Sequence, residues 1–148
     1  MELVSGVDLH FITSKKFKTN RIKMRFSAPM STDTIAGRVL VASMLETANE
    51  VYPTSQIFRE RLATLYGANF STGLSRRGLI HYVDLNISFV SDAFLSRKNT
   101  LTGEILDFLK DSLLRPLANG GAFNQAVFEI EKKNVLNDLK AEIEDYFY

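Results

Sequence analysis

The sequence predicts an α+β fold, an antiparallel sheet with helices packed on one face, in the order ββααββαα. Three observations carry that expectation. Apolar residues alternate with polar ones at two-residue spacing in two separate regions. Each region is followed by segments of helical period, and short turn-forming stretches, too brief for crossover helices, separate the strands within each pair.

Taken in order, Val7, Leu9 and Phe11 and then Ile22, Met24 and Phe26 alternate around Lys18-Thr19-Asn20, which predicts a first antiparallel pair. Ala28-Pro29 stops the second of these strands, and Ser31 to Asp33 offers side-chain oxygens to cap a helix. From Thr34 to about Asn49, Ile35, Val39, Ala42, Leu45 and Ala48 keep a helical period. Tyr52-Pro53-Thr54-Ser55 breaks this helix and caps another, whose apolar stripe of Ile57, Phe58, Leu62 and Leu65 ends at Gly67.

Phe70, Thr72 and Leu74 lead to a turn at Arg76-Arg77-Gly78, and Leu85, Ile87 and Phe89 continue the return strand. Thr100 to Leu114 is amphipathic and closes at Arg115-Pro116 with Gly120-Gly121. A last helix runs from about Asn124 to the end, with Val127, Ile130, Val135, Leu136, Leu139 and Ile143 in period. It reaches Tyr146-Phe147-Tyr148 without a stop signal. Residues 1–148 are therefore expected to form a single domain that is the truncated N-terminal half of a longer chain.

Composition narrows the function classes. Eighteen basic and seventeen acidic residues give a net charge of +1, too little for a long-range field that would gather nucleic acid or an anionic membrane. The absence of cysteine removes disulfides, thiolate metal sites and cysteine nucleophiles. The N-terminus lacks the pattern of a signal peptide, and no stretch approaches the roughly 18 apolar residues of a membrane span, so a cytoplasmic protein is expected. His10 and His81 fall in expected strands, far from any second histidine at metal spacing, and read as strand surface residues. Lys15-Lys16-Phe17-Lys18 and Arg76-Arg77 read as solvated hairpin turns. No Gly-rich phosphate loop and no Gly-x-Ser-x-Gly elbow occurs.

Set in this order, Tyr52-Pro53, the helix ending Leu65-Tyr66-Gly67-Ala68, Arg115-Pro116-Leu117, Ala122-Phe123 and the helix opening Phe128-Glu129-Ile130-Glu131-Lys132-Lys133 resemble the insulinase/pitrilysin-type (inverzincin) zinc peptidases. The similarity extends over residues 7 to 148. It implies the half-domain fold shared with mitochondrial processing peptidase. Active members carry His-x-x-Glu-His on the first helix, two histidines for zinc and a glutamate for the metal-bound water. The matching stretch here is Ser43-Met44-Leu45-Glu46-Thr47, which retains only the glutamate. Of the family's later carboxylate pair, Glu131 matches the first and Asp138 the second, where the family's ligand is a glutamate one methylene longer. Serine and threonine hydroxyls are weak zinc ligands.

The resemblance thus implies a catalytically inactive peptidase homologue with no cofactor and no catalytic residue, Ser43, Glu46, Thr47, Glu131 and Asp138 being degenerate motif positions. It would bind or clamp peptide, and its partner would be a homologous metal-containing subunit or a second copy of itself. Two rivals are an active zinc-dependent metalloendopeptidase with a rearranged site and a plain interaction module whose sheet edge pairs with a peptide.

Overall fold

A computed structural model describes residues 1–96 and 100–146. Its centre is a three-stranded antiparallel sheet in the order β3-β5-β4, formed by Thr19–Pro29 (β3), Asn69–Arg77 (β4) and Ile80–Val90 (β5). β4 and β5 are joined by the two residues Gly78-Leu79. Gly78 has φ +56°, a backbone state that hairpin turns require and that glycine adopts without a Cβ penalty. The second expected hairpin is therefore present, with Phe70, Thr72 and Leu74 facing Ile87, Leu85 and Val83.

The first expected strand pair is not formed. β3 pairs over its whole length with β5, matching Ile22 with Ile87, Met24 with Leu85 and Phe26 with Val83. That register sets one apolar row beside another, which the shorter run from Val7 to Phe11 could not do. Residues 9–18 are not strand, and Phe11 is exposed. Glu2–Val4 (β1) and Val7–Asp8 (β2) instead make a small separate hairpin. Lys15 to Lys18 accordingly lies in an irregular exposed segment and not in a hairpin turn.

Thr32–Thr47 (α1) is capped by Ser31, whose Oγ accepts from Asp33 N, and Ser55–Thr64 (α2) by Thr54, whose Oγ1 accepts from Ile57 N at 3.2 Å. Leu101–Leu114 (α3) takes its cap from a distant residue. Asp92, in a single 3-10 turn, accepts from Leu101 N at 3.0 Å and from Thr102 Oγ1 at 2.7 Å. Ala118–Asn119 (β6) and Ala122–Phe123 (β7) then form a short hairpin before Gln125–Tyr146 (α4), at whose start Asn124 Oδ1 accepts from Val127 N. The fold is α+β with antiparallel sheets and, among the described residues, four helices. The short hairpins at β1–β2 and β6–β7 and the altered pairing of β3 depart from a plain ββααββαα order. The expected aromatic close at Phe147-Tyr148 lies outside the described residues.

Alternation along the strands sorts the sheet into two faces. Ile22, Met24, Phe70, Leu85, Ile87 and Phe89 point to the side where α2 supplies Phe58 and Leu62, the residue after α2 supplies Leu65, and α3 supplies Leu101, Ile105, Phe108 and Leu109. Phe108 is the hub, 5.1 Å from Phe58, 5.8 Å from Phe70 and 5.6 Å from Tyr52 by ring centroids. α1 joins the same side through Leu45, and α4 packs on α1 with Glu131 as its buried residue. Asn49, fully buried just past α1, fixes the join to α3. Its Oδ1 accepts from Val51 N at 3.0 Å and Tyr52 N at 2.8 Å, and its Nδ2 donates to Ser112 Oγ.

Candidate functional site

The packing of α4 on α1, with the start of α2 beside them, leaves a cleft of about 870 Å³. Its lining includes Ser43, Glu46, Thr47, Glu131 and Asp138, so all five motif positions, drawn from helices some ninety residues apart in sequence, meet in one place. Helical spacing explains the grouping. Ser43 and Thr47 are one turn apart on α1, and Glu131 and Asp138 are two turns apart on α4.

What these side chains do there is make hydrogen bonds to protein. Ser43 Oγ donates to Glu131 Oε2 at 2.5 Å, tying α1 to α4. Thr47 Oγ1 donates back to Ser43 O at 2.9 Å, the local bond that helical threonines commonly form. Glu46 Oε2 accepts from Thr72 N at 3.0 Å and Thr72 Oγ1 at 2.6 Å. Since β4 is an edge strand, its Thr72 N–H would otherwise lack a sheet partner, and Glu46 supplies one. Asp138 is exposed.

Zinc does not fit this arrangement. A catalytic zinc needs three protein ligands, chiefly imidazole and carboxylate, converging with an open position. Here two of the positions are hydroxyls whose protons are given to Glu131 and to a carbonyl. Among the described residues, no three His, Cys, Asp or Glu side chains converge as a metal site.

Both histidines lie elsewhere and differ from expectation. His10 is exposed and belongs to no strand. His81 is in β5 but is 7% exposed, with its Nδ1 3.3 Å from Arg38 Nη1, and the same Nη1 donates to Pro29 O. It lines a second, mainly apolar cavity of about 610 Å³ with Phe26, Val41, Leu45 and Val83. Its position on the apolar row of β5 is the signal that could have revealed its burial, because His81 shares the parity of Val83 and Leu85.

A further charged group was not visible in the sequence. Asp84, on the opposite face of β5, receives both Arg25 Nε and Arg25 Nη2 at 2.7 Å and has Lys23 Nζ at 3.3 Å. The Arg25 guanidinium, assisted by Lys23, holds its carboxyl below the usual carboxylate range even though burial acts the other way. The same pairing raises Arg25, whose guanidinium also lies 4.8 Å from the Tyr82 ring centroid.

Sequence comparison relates this chain to a metalloprotease homologue. The chain is 24% identical over 140 residues to the probable inactive metalloprotease YmfF of Bacillus subtilis (strain 168), a match covering 95% of this chain and 33% of that protein. It also superimposes, with a TM-score of 0.86 and 35% identity, on the crystal structure of a conserved protein from Enterococcus faecalis V583, covering 90% of this chain and 31% of that one. The chain thus spans about a third of the length of the relatives it matches. No protein-family model matches it. Among the described residues, no helix is long and apolar enough to cross a membrane.

Proposed function

We propose that this chain is a catalytically inactive inverzincin-like half domain that holds peptide as the partner of an active, zinc-containing homologous subunit. The single observation that carries the reading is the use made of the motif carboxylates. Glu46 and Glu131 accept hydrogen bonds from Thr72 and Ser43, so both act as ties between elements. A general base for peptide hydrolysis needs a metal-bound water to deprotonate, and the hydroxyls of Ser43 and Thr47 cannot supply the ligands for that metal. Similarity to a protein described as a probable inactive metalloprotease from Bacillus subtilis supports the same reading.

The peptide-holding role is supported by β4. In an antiparallel edge strand, alternate residues turn N–H and C=O away from the sheet. Thr72 is one of these, and Leu74 and Arg76 follow it at the same parity. With the Thr72 N–H already held by Glu46, an extended peptide can pair with Leu74 and Arg76. The test is a labelled mixed peptide library presented to the chain, together with affinity capture from its own cells by the full-length protein. Binding without turnover, and recovery of a homologue bearing His-x-x-Glu-His, are expected. Metal-dependent cleavage by this chain, abolished by Glu46→Gln, would overturn the proposal.

A further inference from the structure

The face of the sheet turned away from the helices has a composition of its own. Arg21, Lys23 and Arg25 follow one another at every second position of β3, Arg77 stands at the far end of β4, and among the described residues Asp84 is the one acidic residue on this face. The face therefore carries three net positive charges where the whole chain carries one. The acidic excess lies elsewhere, notably on α4 with Glu129, Glu131, Asp138, Glu142, Glu144 and Asp145 against three lysines. Asp84, with its side chain 10% exposed, is bridged by Arg25 and Lys23, which leaves Arg21 without an acidic partner among the described residues. Between the cations lie hydroxyls and amides, Asn69, Ser71, Ser75, Asn86 and Ser88.

We propose that this sheet face is a docking surface for an extended acidic peptide segment, held by Arg21 and Lys23. The spacing selects the occupant. Alternate residues of a strand lie about 6.8 Å apart, which is also the repeat of the side chains on one edge of an extended peptide. Carboxylates at every second position of such a segment meet Arg21 and Lys23 in turn, while the amides and hydroxyls bond its backbone. Single-stranded nucleic acid fits less well, because its grooves combine cations with free aromatic platforms. Tyr82, the aromatic side chain within this face, is covered by the Arg25 guanidinium. The surface is separate from the cleft between α1 and α4, and the proposal does not depend on whether that cleft is catalytic.

The experiment uses fluorescence anisotropy of labelled octaglutamate with the 148-residue chain, and labelled octalysine and an oligothymidine of equal length as comparisons. Octaglutamate alone should bind, and binding should weaken as salt rises from roughly 50 to 300 mM, because the screening length shortens over that range. Arg21→Gln combined with Lys23→Gln, both exposed positions, should lower the affinity by about fivefold or more while the urea midpoint stays close to that of the native chain. Arg21→Gln alone serves as a second variant should the double one fold poorly. The proposal is overturned if octaglutamate does not bind, if the folded variants bind it as well as the native chain, or if oligothymidine binds as tightly.

Discussion

Replacing Glu46 tests whether its carboxylate is a structural tie or a free group in the cleft. Two hydrogen bonds end on Oε2, from Thr72 N at 3.0 Å and from Thr72 Oγ1 at 2.6 Å. A hydrogen bond to a charged partner contributes about 1.5–3 kcal/mol, and Glu46 is half-buried, so solvent competes and the lower part of that range applies to the pair. Glu46→Ala should therefore cost about 1.5–2 kcal/mol in urea unfolding. Glu46→Gln keeps an acceptor oxygen without the charge and should cost about 1 kcal/mol. Thr72→Val removes the hydroxyl but leaves the N–H, so a double-mutant cycle with Glu46→Ala should show a coupling of about 1 kcal/mol. A cost below about 0.5 kcal/mol for Glu46→Ala, the size of an ordinary surface change, would refute the tie and return the carboxylate to the cleft as an available group.

Three other outcomes follow from the same geometry. Asn49→Ala removes both acceptor bonds to Val51 and Tyr52 and the contact with Ser112 at a site with 0% exposure, and should cost about 2–4 kcal/mol by denaturant unfolding. Phe108→Ala, which empties a site touching three aromatic rings, should cost about 3–5 kcal/mol and broaden the near-ultraviolet spectrum. The native carboxyl of Asp84 titrates below its unfolded value. Its contribution is thus complete above the ordinary carboxylate pKa of about 3.9 and is lost as pH falls through the lowered native value. Asp84→Asn should flatten the acid limb of a stability-against-pH curve and leave the neutral-to-basic limb unchanged in shape.

The elements legible in the sequence were those set by local chemistry. Thr54 announced α2, Gly78 announced the β4–β5 turn, and the alternation of Leu85, Ile87 and Phe89 gave their shared face. Partner choice was not local. The alternation of Ile22, Met24 and Phe26 states which face is buried but not which strand lies alongside, and the longer match with β5 prevailed over the nearer run at Val7 to Phe11. The cap of α3 by Asp92 was hidden for the same reason, since the donors lie nine and ten residues on, outside any local capping pattern. For the cleft, the resemblance to the inverzincin peptidases singled out Ser43, Glu46, Thr47, Glu131 and Asp138, and helical spacing makes each set neighbours on its own helix. Only the packing of α4 on α1 brings the two sets together, and only the coordinates pair Ser43 with Glu131 and Glu46 with Thr72.

Zinc content tests the central claim most directly. The 148-residue chain, equilibrated with zinc and then dialysed against a weak chelator, should retain far less than one zinc per chain by elemental analysis, because Ser43 and Thr47 offer hydroxyls where imidazoles are required. Near-stoichiometric zinc that survives dialysis and disappears in Glu131→Gln would contradict the account.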